Sequence, residues 1–279
     1  MTDDALREAP ARRRFSLGGA SGQIGLFAIV VAFWVLFSSL APGFLSPFNL
    51  FNVGRSLAVD IVIGFSQMVV LATGGMNLAV GSIGVCAVMV TGFLLQDLGL
   101  PIPLAIAAAL GLGALLGFLN GFAIVKTGVN SFIITLASAS LYLGGMLILT
   151  KAVPYSALPP ELGAFGRLKI GTFLSPLLVI AVVIGAALFV LYRYTSLGRQ
   201  ILAAGANARA AAMSGVPVDR VIVISHVLSG LLAACAIVLL RLMTVEHAFR
   251  SIACTEVVLV GGMTSLSTAM TRSGAAAAL

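Results

Sequence analysis

The chain has 279 residues, of which 60% are hydrophobic and only 9% are charged, and its mean hydropathy is +1.13. Soluble domains carry roughly a quarter charged residues, so the composition excludes an ordinary soluble protein and predicts an all-α, polytopic membrane protein. The net charge of +7 does not imply a nucleic-acid partner, because the basic residues lie in short segments between apolar runs, as the positive-inside rule predicts.

The apolar runs divide the chain into a polar tail at 1–22, a transmembrane domain at 23–270 and a low-complexity tail at 271–279. About seven runs are long enough to span a bilayer. They lie at 24–41, 57–73, 78–96, 102–125, 129–150, 171–192 and 221–243. A shorter run at 252–262 predicts a broken or partial eighth segment.

Charge and span parity predict the orientation. The twin arginines before the first run could belong to an export signal, but that run is long enough to span and more spans follow. We therefore interpret it as an uncleaved helix with a cytoplasmic N-terminus. About six crossings then return the chain to the cytoplasm at 193, where Arg193, Arg199, Arg209 and Arg220 follow.

Two segments break at Gly-Gly-Met, with QMVVLATGGMNL at 67–78 and TEVVLVGGMTSL at 255–266. A glycine pair frees backbone polar groups, which membranes tolerate only where protein or a water-filled cavity receives them. Paired glycine-interrupted segments predict a transporter's substrate path, and chance similarity is the alternative. The path residues predicted here are Gly74, Gly75, Asn77, Gly261 and Gly262.

The cytoplasmic segment 193–220 has the local signals of a short helix. Asn207 is a good N-cap, Ala208–Met213 is rich in alanine, and Ser214-Gly215 followed by Pro217 ends the helix. So short a helix is unstable alone in water, so we predict that it docks against another element. A solvated loop is the alternative.

Polar side chains inside spans are candidates for function because burying them in lipid is costly. For Asp60 and His226 the simpler interpretation is a position at the membrane interface, and for Asn120 it is an interhelical hydrogen bond. Asn77 is favoured because it lies at a break. The full set is Asp60, Gln67, Asn77, Asn120, Asn130, Ser131, His226 and Glu256.

Nothing in the sequence predicts catalysis. The chain has no phosphate-binding P-loop motif, no metal-ligand spacing and only two histidines. Cys86, Cys235 and Cys254 lie separately in apolar runs, which is typical of small buried side chains. We predict that the chain is not an enzyme and holds no metal.

Several stretches, in order, resemble the membrane-spanning permease subunit of bacterial ABC importers of the ribose/xylose/galactoside type. They are Asn49-Leu50-Phe51-Asn52, LATGGMNLAVGS at 71–82, SFIITLAS at 131–138, TSLGRQILAAGANARAAAMSGVPVDR at 195–220 and VVLVGGMTSLS at 257–267. The fourth stretch is the most specific, and together they cover residues from about 24 to 270.

The resemblance implies transport of a monosaccharide or similar small polar solute. It also implies three kinds of partner: a second permease subunit, separate ATPase subunits that hold ATP and Mg, and a periplasmic solute-binding protein. The cytoplasmic segment would contact the ATPase. The residues implied for this coupling surface are Gly198, Arg199, Gly205, Asn207, Arg209, Ala212, Ser214 and Gly215.

The chain also departs from the family pattern. Asn77 and Ala79 stand where the signature has aspartate and serine, and His226 stands where tyrosine is frequent. The sequence ends soon after Gly262, so we expect a C-terminally truncated permease. Two alternatives stay open: an ion-coupled secondary transporter that uses Asp60, His226 or Glu256, and a permease remnant that does not transport.

Overall fold

A computed structural model describes residues 18–40, 43–151, 153, 155, 159 and 175–241, and every regular element in these residues is an α-helix. The chain divides into two compact units, with the boundary between Leu50 and Phe51. The described helices are α1 Gly18–Leu40, α2 Pro47–Leu71, α3 Val80–Gln96, α4 Ile102–Thr127, α5 Ser131–Thr150, α6 Pro176–Tyr194, α7 Ser196–Ala206, α8 Ala208–Met213 and α9 Val218–Arg241.

Five of the described helices, α2, α4, α5, α6 and α9, are long and apolar enough to cross a membrane, and the apolar parts of α1 and α3 are shorter. The all-helical prediction is confirmed. About seven full spans were predicted, and five of the described helices are long and apolar enough to be spans. The predicted partial segment at 252–262 lies outside the described residues.

In the first unit, α1 is apolar on all sides, and the side chains of Ile24–Leu40 are all exposed. The ring of Trp34 lies edge-on to that of Phe44 at 5.7 Å, and the ring of Phe37 lies 6.0 Å from Phe44. These contacts hold the turn after α1 against the helix.

In the second unit, the core forms where α2, α6 and α9 pack together. α2 contributes Val59 and Val62 and α6 contributes Leu177 and Leu188, while α9 contributes Ile237. On α2 and α6 burial recurs every three to four residues, which places the buried side chains on one face of each helix. On α9, by contrast, most residues from Leu232 to Leu239 are buried.

α4 and α9 approach most closely, because three glycines of α4 recur every fourth residue at their crossing. A Cβ on Gly117 would meet the carbonyl oxygen of His226, and one on Gly113 would lie 2.5 Å from the carbonyl oxygen of Gly230. A Cβ on Gly121 would lie 2.8 Å from Cα of Val223. Small residues at this spacing let membrane helices pack backbone against backbone.

The helix ends are set by local sequence. α4 ends at Gly128, which has a φ of +67° and forms a left-handed cap. Asn130 caps α5 by accepting a 2.9 Å hydrogen bond from the backbone N–H of Phe132. α6 begins at Pro176 after the N-cap Ser175, as expected for a first-turn proline.

α2 begins at Pro47, ten residues before the start predicted at residue 57, so the predicted start of this helix was wrong.

Candidate functional site: the helix break and the two short helices

The first Gly-Gly sequence is a true break between two helices. α2 ends at Leu71 and α3 begins at Val80, and the residues between them form turns. Gly74 has a φ of +81°, a conformation that glycine adopts without the steric cost other residues incur. The broken element predicted from Gly74-Gly75-Met76-Asn77 is therefore present.

Side chains from α2 and α5 bind the backbone groups that the break leaves free. The N–H of Met76 donates to Oγ of Ser131 at 2.9 Å, and the N–H of Leu78 donates to Oγ1 of Thr135 at 3.1 Å. Nε2 of Gln67 donates to the carbonyl oxygen of Asn77 at 2.6 Å. Irregular backbone is compatible with a membrane interior only where such partners exist.

Asn77 is fully buried, with 0% of its surface exposed. Its Nδ2 donates to Oγ of Ser229 on α9 at 2.9 Å, and its Oδ1 accepts from the N–H of Ala79 at 3.0 Å. Oγ of Ser66 lies 2.9 Å from Oγ of Ser229 and completes the group. Ser229 is eleven residues into α9, or about 16 Å along its axis, so this polar group lies well inside the helical bundle.

The segment 193–220 folds as two consecutive short helices after the end of α6 rather than as one. The first, α7, has Thr195 as its N-cap, whose Oγ1 accepts from the N–H of Gly198 at 3.1 Å. The second, α8, has the predicted bounds, and Oδ1 of its N-cap Asn207 accepts from the N–H of Ala210 at 3.0 Å. Gly215 follows with a φ of +84°.

One face of α7 docks against the membrane helices. Ile201 and Ala204 are buried against Val221 of α9. Gly198 is buried where α7 meets the end of α6, and a Cβ there would meet the carbonyl oxygen of Leu191. The segment is therefore a docked structure, and the solvated-loop alternative is excluded for it.

At Gly205 the helix α7 touches the break between α2 and α3. A Cβ on Gly205 would meet the carbonyl oxygen of Ala72, and one on Gly74 would lie 3.8 Å from the carbonyl oxygen of Gly205. The two residue sets predicted separately from sequence are therefore in backbone contact. Sequence analysis missed this contact, because a glycine on a helix does not reveal which backbone passes beside it.

The outer face of the two short helices is exposed. Arg199 on α7 and Arg209 on α8 are exposed, as are Ala212 and Ser214. Met213, at the end of α8, is 88% exposed. Since Arg209 and Met213 are four residues apart, they share one side of α8. Sequence analysis did not single out Met213.

The other candidates occupy different environments. Oη of Tyr142 on α5 lies 2.8 Å from Oδ1 of Asn120 on α4, which confirms the interhelical hydrogen bond. His226 is 1% exposed at the α4–α9 crossing, so its side chain is buried between these two helices, and its interpretation as interfacial stays a prediction. Glu256, Gly261 and Gly262 lie outside the described residues.

Asp60 lies near the middle of α2, because this helix begins at Pro47, and its side chain is exposed. Sequence analysis placed the start of α2 too late, since the polar residues at 49, 52, 55 and 56 obscured the first turns. The interpretation of Asp60 as interfacial stays a prediction.

Comparison with known proteins identifies related chains. The family described as "Branched-chain amino acid transport system / permease component" matches residues 49–274. The ribose import permease protein of Escherichia coli (strain K12) is 33% identical over 233 residues, 81% of this chain and 70% of the relative. That of Bacillus subtilis (strain 168) is 35% identical over 230 residues, with the same coverage.

The autoinducer 2 import system permease protein of Salmonella typhimurium (strain LT2) is 34% identical over 224 residues, 76% of this chain and 67% of the relative. No solved structure matches the chain.

Proposed function

The chain belongs to the permease-component family of the branched-chain amino acid transport systems, and from this premise we propose that it forms half of the path by which an ABC importer moves a monosaccharide or similar small polar solute. As a permease of an ABC importer it is a multi-pass protein of the inner membrane and not an enzyme, since ATP hydrolysis occurs on a separate subunit. The solute class rests on relatives named for ribose and autoinducer 2.

The proposed ATPase-coupling surface is the outer face of α7 and α8. Its arginines, Arg199 and Arg209, suit acidic groups on a partner, because charge complementarity guides docking and sets its register. Gly198 and Gly205 let α7 lie close to the membrane helices, while Asn207 and Gly215 fix the two ends of α8. Ala212 and Ser214 flank the exposed Met213 at the end of α8 and complete this surface.

The proposed solute path passes the membrane break, shaped by Gly74, Gly75 and Asn77, with Gly261 and Gly262 forming the corresponding element of the second half. Three side-chain hydrogen bonds support this proposal, because they maintain an irregular backbone inside the bundle: Ser131 and Thr135 accept from backbone N–H groups of the break, and Gln67 donates to a backbone carbonyl. Such elements are where transporters build their binding sites. Specificity would reside mainly in a separate solute-binding protein.

The complete importer would contain a second copy of this chain, two ATPase subunits that bind ATP and Mg, and a periplasmic solute-binding protein. The permease itself would hold no cofactor. Its N-terminus would be cytoplasmic and about seven helices would cross the membrane, so that α7 and α8 face the ATPase. The lipid bilayer would surround the assembled helices.

The observation that carries the proposal is the contact of Gly205 with Ala72. It connects the surface proposed to meet the ATPase directly to the irregular backbone proposed to line the path. ATP-driven movement of α7 would thus reach the break through backbone contact at Gly205. An importer permease requires a connection of this kind, because ATP is hydrolysed outside the membrane domain.

Co-purification with the candidate ATPase in detergent tests the coupling surface. We expect the wild-type chain to retain the ATPase and Arg209→Glu to lose most of it, because the substitution reverses the charge at the centre of the exposed face. Lys126→Glu is the matched control, since Lys126 is an exposed cation at the end of α4. Equal retention by Arg209→Glu and Lys126→Glu would contradict the proposed surface.

Uptake of radiolabelled ribose into proteoliposomes tests transport itself. With the ATPase and the binding protein present, uptake should require ATP and should be unaffected when the proton gradient is collapsed. Uptake that needs a proton gradient but not ATP would overturn the proposal in favour of a secondary transporter.

A further inference from the structure

Asp60 is a carboxylate at the middle of a membrane helix. It lies thirteen residues after Pro47 and eleven before Leu71, the two ends of α2. At 1.5 Å per residue, these separations are about 20 Å and 17 Å along the helix axis. Asp60 is therefore far from both ends of a helix that is long and apolar enough to cross a membrane.

The carboxylate does not point into the helical bundle of its own chain. The packed face of α2 carries Ala58, Val59, Val62 and Ser66, all buried, whereas Asp60 lies on the opposite, exposed face. Among the residues that the structure describes, no hydrogen bond or ion pair reaches its side chain.

A charged side chain inside a membrane faces protein or a water-filled cavity, because lipid cannot solvate it. The residues that the structure describes leave the Asp60 side chain exposed, so they do not supply this protein environment. An aqueous space bordered by a second copy of the chain, as in the proposed importer, would solvate the carboxylate.

The face around Asp60 fits the wall of an aqueous path. Ser56 is exposed one turn before it, and Gly64 is exposed one turn after it with open space beside its Cα. Gln67, two turns after Asp60 on the same side, binds the carbonyl oxygen of Asn77 in the break. The stripe of Ser56, Asp60, Gly64 and Gln67 therefore leads along α2 to the membrane break.

We propose that Asp60 lines the solute path, that a second copy of the chain closes this path, and that the carboxylate accepts hydrogen bonds from hydroxyl groups of the passing solute. The proposal rests on the proposed function and adds a contact residue to it. A carboxylate offers acceptors only, so it suits polyhydroxylated neutral solutes and repels anions.

Cysteine accessibility tests the aqueous environment without relying on transport. In a variant whose native cysteines are replaced by alanine, Asp60→Cys and Gly64→Cys should react with a charged, water-soluble thiol reagent. Val183→Cys is the control, because Val183 lies near the middle of α6 and is 61% exposed. Reaction at 60 and 64 but not at 183 supports the path.

If Asp60→Cys and Val183→Cys both react only with a lipid-soluble maleimide, Asp60 faces lipid and the inference is wrong. This result would leave the proposed function untouched, provided that the wild type still shows ATP-dependent ribose uptake. If wild-type uptake fails, the proposed function fails independently of the labelling.

Uptake kinetics test the contact with the solute. We expect Asp60→Leu to raise the apparent KM for ribose, or to lower the uptake rate, by about tenfold or more, the usual effect of losing a hydrogen bond to a charged group. Asp60→Asn keeps an acceptor and should lose less. Val183→Leu should match the wild type. Equal uptake by Asp60→Leu and the wild type would overturn the contact, and retained co-purification with the ATPase verifies folding.

Discussion

At the scale of a single residue, Asn77 joins the break between α2 and α3 to the rest of the bundle. Its amide joins the break to α9 through Ser229 and fixes the turn that leads into α3 through the N–H of Ala79. An amide can do both at once, because it has a donor and an acceptor.

Replacing Asn77 by alanine should lower the free energy of unfolding by about 1–3 kcal/mol, since buried polar partners are left unsatisfied. The same change in a Ser229→Ala background should cost less, with a coupling of about 0.6–1.7 kcal/mol, the range seen for interhelical hydrogen bonds in membranes. Thermal unfolding in detergent, followed with a thiol-reactive dye that detects Cys86, supplies the measurement. Strictly additive costs would rule out the hydrogen bond.

At the scale of elements, α4 and α9 depend on the glycines at 113, 117 and 121 for their close packing. A methyl group at 117 meets the His226 carbonyl, so the helices must separate to accept it. Overpacking of this kind costs about 1–3 kcal/mol. Gly111 lies on the same helix with open space beside its Cα, and there alanine should stabilise the helix by about 0.5–1 kcal/mol.

Gly117→Ala and Gly111→Ala should therefore shift the unfolding temperature in opposite directions. The same dye assay on the two purified variants measures both shifts. A stabilising Gly117→Ala would contradict the backbone contact between α4 and α9.

Sequence predicted the elements that depend on local signals. The bounds of α8 follow from Asn207 and Ser214-Gly215, whose capping chemistry acts within a few residues. The break at Gly74-Gly75 follows from glycine in an apolar run. The spacing of Gly113, Gly117 and Gly121 on α4 is also typical of a helix-packing motif, but sequence analysis did not single it out.

Sequence could not predict the features that depend on distant residues. The α7 helix was missed because Arg199, Gln200 and Gly205 interrupt its apolar pattern, and its stability comes from docking onto Val221. The pairing of Asn77 with Ser229 joins residues 152 positions apart. No local pattern encodes such a contact.

At the scale of the whole molecule, the described loops of the second unit fall into two groups. The break and residues 128–131 lie together with α7, because Ser131 binds Met76 and Gly205 contacts Ala72. At the other end of α3, the ring of Tyr155 lies 6.3 Å from that of Phe93. This second group includes the turn at 97–101.

The two groups of loops should lie on opposite sides of the membrane. In a cysteine-free variant, an impermeant thiol reagent added to intact spheroplasts should label Leu98→Cys, whose site is exposed at the outer turn. Ser214→Cys should react only after the membrane is permeabilised. Labelling of Ser214→Cys in intact cells would reverse the proposed orientation.

Stiffness follows from the backbone contact between Gly205 and Ala72. At most interfaces side chains act as compliant spacers, because a change of rotamer absorbs a small displacement. Two backbones that touch have no such slack, so a movement of α7 would displace the break by a similar amount. We expect probes on Ala206 and Met76 to keep a nearly constant separation during turnover, because α7 and the break would move together as one rigid unit.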